Sequence, residues 1–103
     1  MKMFYLIYHG RPNKDHPDKS IAGGMIGCWI ERASIYKADK VARELIKEQN
    51  WDIIKKDRFK TVKPNSVDKD SEHYQYYDQA LIDKEVLVFY TYPKTKKRTR
   101  KKI

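Results

Sequence analysis

The stretch Met3-Phe4-Tyr5-Leu6-Ile7-Tyr8-His9 decides the fold, because its aromatic and aliphatic residues are typical of a β-strand. Successive side chains of a strand point to opposite faces of the sheet. A strand with one solvated face alternates apolar with polar residues. This stretch does not alternate, since one face carries Phe4, Leu6 and Tyr8 and the other carries Tyr5 and Ile7. The sequence therefore predicts a sheet that needs cover on both faces.

Two further runs repeat this pattern. Residues 24–32 predict a second strand, in which Gly27 marks a bulge or a close contact. Residues 85–92 predict the last strand, and Pro93 ends it. Apolar side chains again occupy both parities: Ile26, Cys28 and Ile30 against Met25 and Trp29, and Val86, Val88, Tyr90 and Tyr92 against Leu87 and Phe89.

Helical spacing is confined to two segments. Ser34 is a candidate cap for a helix that runs to about Gln49, and Asn50 is a candidate left-handed stop. A second helix is predicted over residues 71–83, with Asp70 or Ser71 as its cap. Residues 10–23 predict a long loop, while residues 51–63 fit either one bent strand or a hairpin that turns near Lys56-Asp57.

The predicted order is β-β-α-β-α-β, which indicates an α+β fold. Two crossover helices on one side of a single sheet give a two-layer sandwich, ferredoxin-like in architecture. The other face then needs a cover, which could be loop 10–23, a second copy of the chain, or a ligand such as unpaired nucleobases. The residues proposed for interaction at that face are Tyr5, Trp29, Tyr90 and Tyr92.

Charge is concentrated at the end of the chain. Residues 94–103 hold seven of the 23 Lys and Arg residues and no acid. The net charge is +9, but the remaining 16 basic residues face 14 acidic ones, a balance of +2. We expect a single domain over residues 1–93 and a flexible basic tail. The tail either only aids solubility or binds phosphates without sequence preference. The proposed contact residues are Lys94, Lys96, Lys97, Arg98, Arg100, Lys101 and Lys102.

The composition also restricts the cellular compartment in which the protein is expected. Cys28 is the single cysteine, so an internal disulfide is excluded and nothing favours an oxidising compartment. The mainly apolar stretch of residues 2–8 is too short for a signal peptide or a membrane span. We therefore expect a cytoplasmic protein.

No catalytic motif stands out. The three histidines lack helical metal-site spacing and Cys28 has no partner cysteine, so no metal or cofactor is predicted. Gly23–Gly27 lacks the Gly-Lys-Ser/Thr ending of a phosphate loop, and Cys28 fits a buried thiol. If the chain were an enzyme, His9 would serve as general base beside the loop that holds Arg11, His16 and two lysines, Lys14 and Lys19.

Several packing positions carry a resemblance to known proteins. They are Ala38-x-x-x-Ala42, Glu44-Leu45-Ile46, Asn50-Trp51-x-Ile53, residues 77–83 (YDQALID) and Val86-Leu87-Val88-Phe89. In these positions the chain resembles small bacterial proteins of unknown function. The resemblance implies a bacterial source and an α+β fold, and it carries over no catalytic or binding residue.

Three functional hypotheses follow. The first is a non-enzymatic binding module, dimeric through its sheet, whose basic tail engages an anionic partner, either nucleic acid or another polyanion. The second is a homodimeric adaptor domain that uses the apolar sheet face for protein–protein contacts. The third is a small enzyme that uses the loop between His9 and His16.

Overall fold

A computed structural model describes residues 1–94 of the chain and shows an α+β fold. The elements follow the predicted order β-β-α-β-α-β. None of the helices within residues 1–94 is long and apolar enough to cross a membrane. The elements are β1 (Lys2–Pro12), β2 (Ile21–Arg32), α1 (Ile35–Glu48), β3 (Trp51–Val62), a 3-10 turn (Pro64–Ser66), α2 (Glu72–Asp83) and β4 (Glu85–Pro93).

The four strands form one sheet in the order β3-β1-β2-β4, and each neighbouring pair is antiparallel. β1 and β2 therefore lie in the centre, while β3 and β4 form the edges. Of the two alternatives for residues 51–63, the single strand is correct. Its register with β1 shifts twice, between Ile7 and Tyr8 and between His9 and Gly10, as at β-bulges.

Helix α1 covers the face of the sheet that carries the even-numbered side chains of β1. Its buried residues Ala38, Ala42 and Ile46 pack in one cluster with the apolar side chains of β1 and β2. Trp51, at the start of β3, belongs to the same cluster. The sheet contributes to this cluster Phe4, Leu6, Tyr8, Ile26, Cys28 and Ile30.

Helix α2 covers the opposite face. Its buried residues Tyr77 and Ala80 pack with Met3, Tyr5 and the ring of Trp29. The prediction of a two-layer, ferredoxin-like sandwich with both helices on one side is therefore wrong. The sheet lies between two helices in three layers, because each apolar face of the central strands is covered by a different helix.

Local sequence signals agree with the helix boundaries. The Ser34 hydroxyl accepts a hydrogen bond from the Lys37 amide at 3.3 Å and caps α1. Asn50 follows α1 with φ 63°, in the left-handed region. Ser71 occupies the cap position of α2, although its side chain caps no amide there. The predicted loop 10–23 is shorter than expected, because β1 extends to Pro12 and β2 begins at Ile21.

One polar contact fixes α1 on the sheet. The Tyr8 hydroxyl is buried beneath the helix and donates a hydrogen bond to the Asp39 carboxylate at 2.5 Å. The same carboxylate oxygen accepts from Arg43 Nε at 2.9 Å. Burial, followed by the bond to Asp39, raises the pKa of Tyr8, so its hydroxyl stays a donor.

Replacing Tyr8 by phenylalanine should therefore destabilise the fold by about 1–2 kcal/mol, because the Asp39 carboxylate loses a buried donor. Tyr36→Phe is the matched control, since Tyr36 on the same helix is 84% exposed and should change stability by less than about 0.5 kcal/mol. Urea unfolding followed by circular dichroism measures both. Equal stability of the two variants would show that the contact does not hold α1.

Candidate functional site

Two of the four predicted interaction residues are buried beneath α2. Tyr5 is 8% exposed and Trp29 3% exposed, and their rings stack on each other with centroids 4.2 Å apart. His73 of α2 lies over both rings, at 5.5 Å from Tyr5 and 5.4 Å from Trp29. The expectation that these two rings are available to a partner is therefore wrong, because a helix of the chain itself covers them.

The other two residues remain accessible on the same face of the sheet. Tyr90 is 41% exposed and Tyr92 47% exposed, both on the edge strand β4. Around them lie side chains of β1 and β2 that are only partly buried. We call this surface the open half-face; it comprises Ile7, His9, Met25, Val88, Tyr90 and Tyr92.

A glycine allows the Tyr92 side chain to lie across β2. A Cβ atom at Gly23 would be 2.7 Å from the Tyr92 hydroxyl oxygen and 2.9 Å from the carbonyl oxygen of Gly10, so no larger residue fits there without a shift. The Tyr92 hydroxyl then reaches His9 Nε2, 3.2 Å away. Tyr92 and His9 thus form a joined aromatic pair at one end of the open half-face.

The Tyr90 side chain is held by a contact with helix α2. Its hydroxyl donates a hydrogen bond to Glu72, the first residue of α2, at 3.2 Å. Partial burial, followed by this bond, raises the pKa of Tyr90 to about 12. The contact also marks where the cover provided by α2 ends and the open half-face begins.

Basic side chains flank the open half-face along β3. Residues paired across an antiparallel ladder share a face, so the register places exposed basic residues of β3 beside the odd-numbered residues of β1. Across the sheet, one row consists of Lys55, His9, Met25 and Tyr90. The next row consists of Arg58, Ile7, Gly27 and Val88. In the row after that, Lys60 of β3 pairs with Tyr5 of β1.

A second basic feature lies where β4 ends. A cleft of about 240 Å³, which we call the basic cleft, separates the loop of residues 13–20 from the end of β4. One acidic side chain, Asp18, also lines it. Its four basic lining residues are Arg11, Lys14, Lys19 and Lys94.

Lys94 is the first residue of the predicted basic tail. Its amide donates to the Ser20 carbonyl at 2.8 Å, so the tail begins at the mouth of the basic cleft. The remaining predicted contact residues, Lys96, Lys97, Arg98, Arg100, Lys101 and Lys102, lie outside the described residues.

The two histidines of the enzyme hypothesis do not converge. His9 contacts Tyr92 on the open half-face, whereas His16 packs edge-on against Trp51, at 6.0 Å, in the cluster beneath α1. His16 Nδ1 is also occupied, because it accepts a hydrogen bond from the Asp18 amide at 3.0 Å. The two imidazoles therefore lie on opposite faces of the sheet and form no shared acid–base pair.

Neither Cys28 nor a metal cluster offers chemistry in the described part of the chain. Cys28 is fully buried, and burial, with a smaller effect from Asp39, raises its pKa to about 12. Among residues 1–94, no three His, Cys, Asp or Glu side chains lie close enough together to hold a metal ion. Gly27 shows no bulge; its place is explained by the Tyr5 hydroxyl, which would lie 3.0 Å from an added Cβ.

The sequence prediction missed the basic row of β3. Arg58 and Lys60 have strand spacing, but Lys55 joins them only because the register shift leaves Asp57 without a partner on β1. A period of two would have selected Lys56 instead. Lys56 in fact lies over the Phe59 ring, at 4.7 Å, on the other side of the strand.

A comparison of the chain with protein-family models, with curated proteins and with solved structures gives no match. Function must therefore be inferred from the geometry and the charges of the chain itself.

The raised pKa of Cys28 makes stability depend on alkaline pH. The folded state holds the thiol proton above the ordinary pKa of 9.0, so this contribution is complete below about pH 9 and is lost as the pH rises towards 12. We expect the free energy of unfolding to fall by about 1 kcal/mol more between pH 8 and pH 10 in the wild type than in Cys28→Ala.

Denaturant unfolding at the two pH values measures this difference. The comparison uses the change with pH within each protein, so the cavity left by the alanine cancels. The native thiol should also resist a thiol reagent at pH 8 and react once the chain is unfolded. Rapid reaction of the native protein would show that Cys28 is accessible.

Proposed function

We propose that this protein is a small non-enzymatic binding module that engages nucleic acid through its basic tail. The observation that carries the proposal is the position at which the tail begins. Lys94 lines the basic cleft together with Arg11, Lys14 and Lys19, so the positive charge of the tail continues onto the folded domain. A phosphate chain held by the tail would meet further cations there.

The distribution of charge supports a polyanion as the partner. Residues 94–103 contain seven basic residues and no acid, whereas the rest of the chain is nearly neutral. Each Lys or Arg that neutralises a phosphate releases a counterion, so affinity depends strongly on salt. The tail contains no aromatic residue, so we infer that its phosphate contacts position the partner without reading sequence.

A homodimeric adaptor domain is the second candidate, and one observation favours it. β4 is an edge strand with two exposed tyrosines, and edges of this kind can pair with a second chain. Tyr90 and Tyr92 would then lie at the contact between the two copies.

We also propose a cellular location for the protein. We infer a cytoplasmic location, in which the single thiol of Cys28 stays reduced and nucleic acid is accessible. The bacterial source remains a prediction from the sequence resemblance.

Removal of residues 95–103 should weaken binding to a labelled oligonucleotide and reduce its salt dependence. The truncation deletes six basic residues but keeps Lys94 and its bond to Ser20, so β4 stays intact. The slope of log K against log salt should become less steep by up to about 4, at about 0.7 for each phosphate contact. Fluorescence anisotropy between about 50 and 200 mM salt measures the slope. Equal slopes for the two forms would exclude the tail from binding.

The basic cleft allows a separate test. Arg11→Gln with Lys14→Gln removes two cleft charges and should lower the slope by about 1. Lys37→Gln with Lys40→Gln is the matched control, because both residues are exposed on the first half of α1, which follows the opposite end of β2. If the control pair lowered the slope as much as the cleft pair, the binding would depend on net charge alone.

A further inference from the structure

We propose that the open half-face is a stacking platform for the unpaired bases of single-stranded nucleic acid, an inference that rests on the proposed function. The basic tail by itself does not distinguish single strands from duplexes, since both present phosphates. The open half-face adds a contact that only exposed bases can make. The protein should therefore prefer single strands.

The aromatic content of the open half-face supports stacking. Tyr90 and Tyr92 are on the same face of β4 and are the most exposed rings on the sheet. His9 adjoins Tyr92, with ring centroids 6.3 Å apart. Both tyrosines are anchored by their hydroxyls, Tyr92 to His9 and Tyr90 to Glu72, so the rings are held in place before a base arrives. Stacking on such rings tolerates any base, because every base has a π-face.

Basic residues outnumber acidic ones around the open half-face, which favours a nucleic-acid backbone; the acids there are Asp52, paired with Arg11, and Glu72, bonded to Tyr90. Lys55 pairs with His9 and Arg58 with Ile7, so both basic residues lie on the strand next to β1, whose backbone is about 4.8 Å away. At the far end, Arg11 lines the basic cleft together with Lys94, the first residue of the tail. A strand that runs along β1 would have cations beside its phosphates and the aromatic rings of β4 beneath its bases.

The decisive comparison uses two double variants of the full-length protein. Tyr90→Thr with Tyr92→Thr removes both rings and retains residues that favour strands, whereas Tyr90→Phe with Tyr92→Phe retains the rings and removes only the hydroxyls. The probes are a labelled oligothymidylate of about 16 nucleotides, which forms no duplex with itself, and a duplex of the same length.

We expect the double variant Tyr90→Thr, Tyr92→Thr, called the threonine pair below, to lose about tenfold or more in affinity for the oligothymidylate. Its affinity for the duplex should change by less than about twofold, because the tail and the basic cleft are unchanged. The Tyr90→Phe, Tyr92→Phe variant keeps the rings and loses only their hydroxyl anchors, so it should lose less affinity for the oligothymidylate than the threonine pair and should bind the duplex like the wild type. Tyr36→Ala, on the exposed side of α1, is the matched control and should have no effect.

A second measurement needs no substitution. Irradiation of the wild-type protein with a bromodeoxyuridine-substituted single strand, followed by mass spectrometry, should place cross-links at Tyr90, Tyr92 or His9. Cross-links found only within residues 94–103 would overturn the platform. This result would also decide the matter if the threonine pair failed to fold.

The remaining outcomes separate this inference from the proposed function. Equal affinity for single strand and duplex, unchanged by the threonine pair, would overturn the platform and leave the phosphate-binding tail. Absence of binding to both probes would overturn both. Light scattering that shows a dimer, dispersed by the threonine pair, would overturn the platform in favour of the adaptor domain.

Discussion

The fold is organised around the central strand β1, whose two faces are both apolar and must both be buried. The strand is central and apolar on both sides, so water must be excluded from both of its faces. One helix cannot do this, and the chain places α1 on one face and α2 on the other. The three-layer arrangement and the burial of Tyr5 and Trp29 follow from this requirement, whereas the open half-face is the part of the sheet that α2 leaves uncovered.

The two covers are unequal, and the difference creates the candidate site. α1 buries Ala38, Ala42 and Ile46, and its position is fixed by the bond between Tyr8 and Asp39. α2 is shorter, buries two side chains and contacts the sheet chiefly through β2 and β4. Its first residue, Glu72, meets Tyr90, and no helix among residues 1–94 covers the sheet beyond that contact.

Much of the fold was predictable from local patterns. The strand parities, the capping role of Ser34, the left-handed Asn50 and the element order all depend on neighbours in sequence, and the structure agrees with them. The two-layer prediction failed because the alternation of side chains shows that both faces of the sheet need cover, but does not show which helix covers each face. The candidate site was half predicted for the same reason. Tyr5, Trp29, Tyr90 and Tyr92 lie on one face, but only the last two remain exposed.

By itself, the sequence determined that the sheet is apolar on both faces and that the net positive charge of the chain is concentrated after Pro93. Both are local properties, because they depend only on side-chain alternation and composition. The tertiary structure alone decided which rings stay accessible and which cations surround them. Lys55 joins Arg58 beside the open half-face through a register shift in β3, and Lys94 joins Arg11 through the pairing of β4 with β2. These contacts join residues far apart in the chain, so only the packing of strands and helices brings them together.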